Sequence, residues 1–142
     1  MNYPYSAYPN RGKLTLPGGC KLGLIMTINL EYWDLTKNSE QPYYAGGPAI
    51  LPDSLPANVP DFPNFMWREY GQRAGVWRLF EIFDTAKVPA SCTINAKTAT
   101  ERPEIVQAAD SRGWEIVAHN YEQGELLTDY AHNREVEAEV IK

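Results

Sequence analysis

The sequence predicts an α/β fold built on a parallel sheet. Three short apolar segments are each followed by a helical pattern, so strands and helices alternate along the chain. This order is typical of βαβ units. The length of 142 residues suits one domain, and 44% hydrophobic with 22% charged residues is the composition of an ordinary globular chain. We therefore expect residues 1–142 to form a single domain.

The first strand is predicted at residues 22–30, after a turn-rich start that ends in Pro17, Gly18 and Gly19. The strand segment, LGLIMTINL, is apolar on both faces, as in a parallel strand that helices cover on both sides. Polar and aromatic residues follow at 31–34. Because parallel α/β folds bind ligands at the carboxyl ends of their strands, the first candidate site residues lie here.

A long proline-rich segment follows at residues 36–64, which contain six prolines. A connection of this length without regular structure is uncommon in a compact domain and is usually a functional lid or a disordered segment. Aromatic residues in and beside it argue against a solvated linker: Tyr43, Tyr44, Phe62 and Phe65. We predict a lid loop, and an ordered surface loop without a binding role is the alternative.

The rest of the chain continues the alternation. Apolar residues recur with helical spacing from near Trp67 to before Pro89, and we expect the large aromatic residues of this helix to lie in the core. Strands at 88–95 and 114–119 and helices at Pro103–Ser111 and Tyr130–Ile141 complete the pattern. So few parallel strands seldom close a sheet by themselves. The sequence therefore predicts an incomplete barrel.

Composition also narrows the range of functions. The net charge of −5, with 18 acidic and 13 basic residues and no basic run, argues against nucleic-acid and anionic-lipid partners. The longest apolar run, Leu22–Leu30, is too short to cross a bilayer, and the N-terminus does not resemble a signal peptide. We expect a cytoplasmic protein without membrane contact. Cys20 and Cys92 fit buried structural thiols.

Four segments together resemble the polysaccharide deacetylases, and among them the allantoinase and cyclic imide hydrolase branch. They are NLEYW at 29–33, WREYGQRAGVWRLFEIFD at 67–84, VPASCTINA at 88–96 and RGWEIVAHNYEQ at 112–123. The resemblance implies a distorted (β/α) barrel, of which this chain would be the N-terminal half. A half barrel exposes a sheet edge and apolar helix faces. We therefore expect a second protein chain to supply the C-terminal half, and a truncated fragment is the alternative.

The resemblance also assigns site positions. Metal-dependent members end their first strand in Thr-Phe-Asp-Asp-Gly, where the first Asp is the general base and the second binds the metal; these positions are Glu31 and Tyr32 here. The family's His-x-x-x-His motif reads HNYEQ from His119 onward, so its second histidine is missing. Catalytic zinc usually has three protein ligands, so we expect no metal. The alternative is a divalent metal such as zinc, held with the help of Glu122 or Glu125.

The function implied by the resemblance is hydrolysis of a non-peptide C–N bond in a small cyclic amide, imide or ureide. Such a reaction needs a base for water and a donor to the oxyanion, and we assign these catalytic roles to Glu31 and His119. A non-catalytic structural subunit of such a hydrolase and a polysaccharide N-deacetylase are the alternatives. Five further residues are expected to bind the small-molecule substrate: Tyr32, Trp33, Arg68, Asn120 and Glu122.

Overall fold

The computed structural model describes residues 4–34, 53, 55–56 and 59–141. Within them, three strands form one parallel sheet in the order β1-β2-β3. The strands are β1 Thr27–Leu30, β2 Ser91–Ile94 and β3 Glu115–Ala118. They pair without stagger, so their carboxyl ends meet at one edge of the sheet. The predicted α/β class and the parallel sheet are confirmed, and the sheet of the described residues is not closed.

Helices lie between and after the strands. Between β1 and β2 the chain forms α1 Phe62–Tyr70, a π-helical turn Gly71–Gly75 and α2 Val76–Ala86. Between β2 and β3 it forms α3 Ala96–Glu101 and α4 Pro103–Ser111, and α5 Arg134–Ile141 follows β3. Short 3₁₀ turns occupy Tyr8–Asn10, Pro17–Gly19 and Leu127–Tyr130.

The two faces of the sheet differ in chemistry. One face carries apolar side chains that are buried, including Leu30, Cys92 and Ile94. The other is polar: Thr93 donates a hydrogen bond to the Asn29 side chain at 2.9 Å, and hydroxyl groups of the neighbouring pair Thr27 and Ser91 lie 3.0 Å apart. Since successive side chains of a strand alternate between faces, the even-numbered residues form the packed side. The expectation that the first strand is apolar on both faces is therefore wrong.

Aromatic packing fills the space behind the apolar face. The indole of Trp114 contacts Phe80 and Phe83 edge to face, with ring centroids 5.0 and 5.1 Å away. Such aromatic pairs contribute about 0.5–1.5 kcal/mol beyond the area they bury. The core cluster also contains Leu30, Val76, Ala90, Cys92, Ile94, Ile105 and Ala109. This core joins α2 and α4 to the back of the sheet and leaves the carboxyl edge free to carry a site.

The first strand is shorter than the sequence predicts. Its predicted first five residues are not a strand, and Leu22, Leu24 and Ile25 are 81%, 77% and 85% exposed. No neighbouring strand of the described residues begins early enough to pair with them, so their apolar character alone does not make a strand. Cys20 is exposed as well, contrary to the expectation of a buried thiol, whereas Cys92 is buried and its pKa is raised by that burial.

The helices also differ from the sequence-based predictions. Trp67, Tyr70 and Trp77 are 44%, 49% and 39% exposed, so they are not core residues. The buried stripe of α2 passes through Val76, Phe80 and Phe83, spaced four and three residues apart, and Trp77 lies beside it. The short helix α3 was not predicted, and the last helix begins at Arg134 after a 3₁₀ turn.

Most of the predicted lid at 36–64 lies outside the described residues, and it stays a prediction. Its last residues are helical, because α1 begins at Phe62 with Pro63 in its first turn. The buried side chain of Asp61 caps this helix by accepting a hydrogen bond from the Asn64 backbone N–H at 3.1 Å. Among the described residues, no helix has the length and apolarity needed to span a membrane.

Candidate active site at the carboxyl edge of the sheet

The structure brings the two predicted catalytic side chains together. Glu31 follows β1 and His119 follows β3, and Oε1 of Glu31 lies 3.8 Å from Nε2 of His119. Because side chains alternate between the two faces of a strand, Glu31 and His119 lie on the same face of the sheet as Asn29 and Thr93. They lie on either side of the end of β2. The two side chains are 26% and 39% exposed, so solvent and a small ligand can reach them.

Aromatic and cationic groups surround the carboxylate of Glu31. The indole Nε1 of Trp33 donates a hydrogen bond to Oε2 at 3.1 Å, and the amide of Asn29 lies 3.5 Å from Oε1. The guanidinium carbon of Arg68 lies 4.4 Å from the centre of the Trp33 ring, in cation–π geometry. Two of the predicted substrate-binding residues, Trp33 and Arg68, are therefore grouped with Glu31.

A buried asparagine that the sequence analysis missed connects the three strand ends. Asn95 is fully buried; its Oδ1 accepts a hydrogen bond from the backbone N–H of Tyr32 at 2.7 Å. Its Nδ2 donates to the carbonyl of His119, and a second, longer contact of 3.4 Å reaches the carbonyl of Asn120. One side chain thus fixes the segments that carry Glu31 and His119. A polar residue directly after an apolar strand was the available signal.

Tyr32 faces away from the carboxylate of Glu31. Its hydroxyl donates a hydrogen bond to Oε1 of Glu101 at 3.2 Å, and the ammonium of Lys97 lies 4.6 Å from its ring centre. Burial raises the pKa of the Tyr32 hydroxyl, and the charge of Glu101 adds to the effect. These contacts join Tyr32 to Glu101 and Lys97, and its contact with substrate stays a prediction.

An ion cluster around Lys97 lies at the carboxyl edge of the sheet and joins the segments that follow β1 and β3. The ammonium lies 2.9 Å from Oε2 of Glu122 and 3.1 Å from Oδ2 of Asp34, which follow β3 and β1 respectively. The hydrogen bond with Glu122 is the main cause of a raised pKa of Lys97, and the bond with Asp34 adds to it. Glu122 is fully buried, and its carboxylate belongs to this cluster; its contact with substrate stays a prediction.

Asn120 shapes the turn that leads to Glu122. Its φ of 62° lies in the left-handed region, which asparagine tolerates better than most residues. Its side-chain amide donates a hydrogen bond to the carbonyl of Glu125. This bond holds the side chain in the turn, and the contact of Asn120 with substrate stays a prediction.

The donor groups do not fit a classical catalytic metal. Glu31 and His119 supply two donors, and Glu122, proposed above as a compensating ligand, is held by Lys97. In the part of the chain that the structure describes, no group of three or more His, Cys, Asp or Glu side chains has metal-binding geometry. Catalytic zinc usually takes three protein ligands and a water, and this set falls short of that number.

A cavity of about 410 Å³ lies beside the outer edge of β1. This volume is within the usual range for small-molecule sites. The cavity reaches Glu31 at one end, and its wall is formed by α1, the π-helical turn and the start of α2. The polar and aromatic side chains in its lining are Asn29, Glu31, Trp67, Arg68, Tyr70 and Gln72.

The Lys97 cluster predicts a large effect on stability. We expect Lys97→Met to lower the free energy of unfolding by about 3–5 kcal/mol, because it leaves the buried Glu122 carboxylate without its cation. Adding Glu122→Gln should recover part of the loss. Guanidinium denaturation of the variants measures the effect, and Arg73→Gln, which removes an ion pair with a 73% exposed arginine, is the control expected to change stability by less than about 1 kcal/mol.

The same cluster sets a pH dependence. Because the folded pKa of Lys97 is raised, its stabilisation is fully present below the unfolded value near 10.5 and is lost only as pH rises through the higher folded value. The stability of the unaltered chain should therefore show no loss through Lys97 between neutral pH and about pH 10, as guanidinium denaturation at a series of pH values measures. A Lys97→Met difference below about 1 kcal/mol at neutral pH would contradict the cluster's role.

Comparison with known proteins finds three that this chain resembles. No protein-family model matches the chain. A putative polysaccharide deacetylase of Schizosaccharomyces pombe is 35% identical over 69 residues, which are 45% of this chain and 22% of that protein. The crystal structure of a probable polysaccharide deacetylase from Pseudomonas aeruginosa PAO1 matches 82% of this chain and 40% of its own, with 28% identity and a TM-score of 0.59.

The crystal structure of Puue allantoinase matches over 99% of this chain and 50% of its own, with a TM-score of 0.67; at 19% identity this likeness concerns the fold. The chain thus spans half or less of the length of these relatives, which fits the expected N-terminal half of a barrel. By sequence and by structure, the chain is a homologue of the polysaccharide deacetylases with an allantoinase-like fold.

Proposed function

We propose that this chain is part of a hydrolase that opens a non-peptide C–N bond in a small cyclic amide, imide or ureide. The relatives are named as a deacetylase and an allantoinase, which supports hydrolysis of C–N bonds as the reaction class. The observation that carries the proposal is the pairing of the Glu31 carboxylate with the His119 imidazole, 3.8 Å apart at the carboxyl edge of the sheet.

In the proposed reaction, Glu31 is the general base. Its distance to His119 is too long for a direct hydrogen bond, and a water molecule that donates to Oε1 of Glu31 bridges such a gap. Glu31 takes a proton from that water as its oxygen attacks the ring carbonyl carbon. His119 donates from Nε2 to the developing oxyanion. When the C–N bond breaks, the proton on Glu31 passes to the leaving nitrogen.

Trp33 and Arg68 are the proposed substrate-binding residues. The planar guanidinium of Arg68 offers paired donors to carbonyl oxygens, and it lies in the wall of the cavity that reaches Glu31. The Trp33 ring, 4.4 Å from that guanidinium, supplies an apolar surface against which a flat ring packs. The indole N–H keeps the Glu31 carboxylate turned toward this surface.

Replacing the base tests the assignment. We expect Glu31→Gln to lower kcat at least 100-fold on whichever of succinimide, hydantoin and allantoin the assembled enzyme hydrolyses, because general-base catalysis contributes about 10²–10⁴-fold. Glu81→Gln, an exposed charge on α2, is the matched control and should leave kcat unchanged. Turnover that survives Glu31→Gln would instead support the alternative of a non-catalytic structural subunit.

The second alternative, a polysaccharide N-deacetylase, is favoured by the names of the two deacetylase relatives. It differs in substrate, so the same enzyme preparation assayed on acetylated chitooligosaccharides separates the two. Release of acetate without any turnover of the cyclic amides would replace our proposal by this one.

We further propose that the reaction needs no metal. Within the described residues, Glu31 and His119 are the donors that meet at the site, and the carboxylate of Glu122, one of the two compensating ligands considered beside Glu125, is paired with Lys97. Dialysis against a strong chelator should leave kcat within about twofold of its starting value, since no step above passes through a metal. A stoichiometric ion found by elemental analysis, lost together with activity in Glu31→Gln and in His119→Ala, would contradict this.

We propose that a second protein chain completes the barrel. All four residues of the outer strand β3 are exposed, and Ile116 and Val117, on opposite faces, are 43% and 40% exposed. A parallel sheet is normally covered on both faces, and a free edge pairs readily with another strand. A second cavity, of about 540 Å³, lies beside β3 and has apolar walls that include Val106, Leu127 and Val140. Further strands and helices at this side would cover these surfaces.

Native mass spectrometry of the enzyme purified from its own host tests the second chain. We expect a complex that contains this 16.1 kDa chain and a different polypeptide. Either a longer single polypeptide that carries both halves, or an active monomer of 16.1 kDa, would contradict the proposal.

A further inference from the structure

The π-helical turn brings a buried amide to the backbone of the proposed base. Gln72, 7% exposed, lies in the turn Gly71–Gly75, and its Nε2 donates a hydrogen bond of 2.5 Å to the carbonyl oxygen of Glu31. π-Helical turns are frequent at functional sites because the extra residue re-aims a side chain. Here the turn directs the side chain of Gln72 toward the end of β1.

The Glu31 carbonyl lies on the outer side of β1. The carbonyls of Met26 and Leu30 accept hydrogen bonds from the backbone of β2 and the residue after it. In a parallel pair, alternate residues turn their backbone groups toward the neighbour, so the carbonyl of Glu31 faces the other way. Gln72 therefore supplies, at the open edge, a hydrogen bond that no strand of the described residues makes there.

A second layer of hydrogen bonds fixes the orientation of the Gln72 amide. Its Oε1 accepts from the guanidinium of Arg102, which also donates to Oε1 of Glu69. Because arginine can only donate, the amide oxygen must face Arg102 and the NH₂ group must face Glu31. Burial acts to raise the pKa of Glu69, but hydrogen bonds from Arg102 and Arg73 outweigh it and leave that pKa lowered, so this anchor is charged at neutral pH.

We propose that Gln72, oriented by Arg102, is a positioning residue that holds Glu31 in its reactive geometry. This inference rests on the proposed function, in which Glu31 is the base. Holding the Glu31 carbonyl fixes the peptide plane that follows its Cα, and with it the direction of the carboxylate toward His119. A misplacement of about 1 Å costs such a reaction about 100-fold, and loss of one of several constraints should cost less.

The test compares Gln72→Glu and Gln72→Leu with a matched control in the assembled enzyme. Gln72→Glu keeps an acceptor for Arg102 but sets a carboxylate oxygen against the Glu31 carbonyl, and Gln72→Leu removes both bonds. We expect kcat on the hydrolysed cyclic amide to fall about tenfold with KM within twofold, since the group acts on the base. Gln107→Leu, on the exposed side of α4, should leave both values unchanged.

A second readout does not depend on turnover. The indole N–H of Trp33 donates to the Glu31 carboxylate, and the chain has four tryptophans, so its nitrogen–proton NMR spectrum contains four indole signals. The Trp33 signal should shift in Gln72→Glu and in Glu31→Gln. The signal of Trp114, in the core, should stay in place and shows that the variants are folded.

The outcomes separate the two ideas. If Glu31→Gln abolishes turnover while Gln72→Glu and Gln72→Leu leave kcat unchanged, the inference is overturned and the proposed function stands, whether or not the Trp33 signal moves. If Glu31→Gln leaves turnover unchanged, the proposed function fails, and positioning of a catalytic base fails with it. A tenfold loss of kcat without a shift of the Trp33 signal would also overturn the inference, because the carboxylate would not have moved.

Discussion

The amide of Asn95 is the constraint on which the candidate site depends. It lies at the end of the central strand, fully buried, with its oxygen bonded to the segment after β1 and its nitrogen bonded to the segment after β3. A buried amide that lost these partners would leave unsatisfied polar groups on both sides, at about 1–3 kcal/mol for each group. The meeting of Glu31 and His119 is therefore a result of the backbone geometry at three strand ends, and not of their own weak mutual attraction.

A second constraint on the same strand ends is the ion cluster of Lys97, Glu122 and Asp34. Lys97 joins the loop after β1 to the loop after β3 through ion pairs with Asp34 and with the fully buried Glu122. A buried ion pair adds little net stability compared with well-packed apolar groups, but breaking it is costly. The cluster thus makes alternative arrangements of the two loops unfavourable and keeps the polar edge of the sheet in one conformation.

The order of strands and helices could be predicted from the sequence, because each element has its own local pattern of apolar residues. Strand and helix alternate as expected, and the carboxyl ends of the first and third strands carry Glu31 and His119 side by side. The hydrogen bonds that hold these two residues in place could not be predicted, because they join residues far apart in the chain. They are the bonds of Tyr32 with Asn95, Asp34 with Lys97, and Glu31 with Gln72. Such contacts depend on how helices dock, which hydrophobic spacing does not specify.

The failures have physical causes too. Apolar residues at 22–26 suggested a strand, but a strand needs a neighbour to accept its backbone hydrogen bonds, and β2 begins opposite Thr27. Trp67, Tyr70 and Trp77 were assigned to the core because large aromatic side chains are usually buried, but the buried stripe of α2 is formed by Val76, Phe80 and Phe83. In both places the residue types were compatible with the prediction, and the tertiary context decided otherwise.

The hydroxyl and amide side chains on the open face of the sheet bear on how such a protein is made. These side chains form hydrogen bonds in two pairs, Thr27 with Ser91 and Thr93 with Asn29. Because their groups are hydrophilic, this part of the sheet is stable in contact with water. These hydrophilic side chains reduce the apolar surface that β1 and β2 expose, and so lower the tendency of a newly synthesised chain to aggregate with other chains.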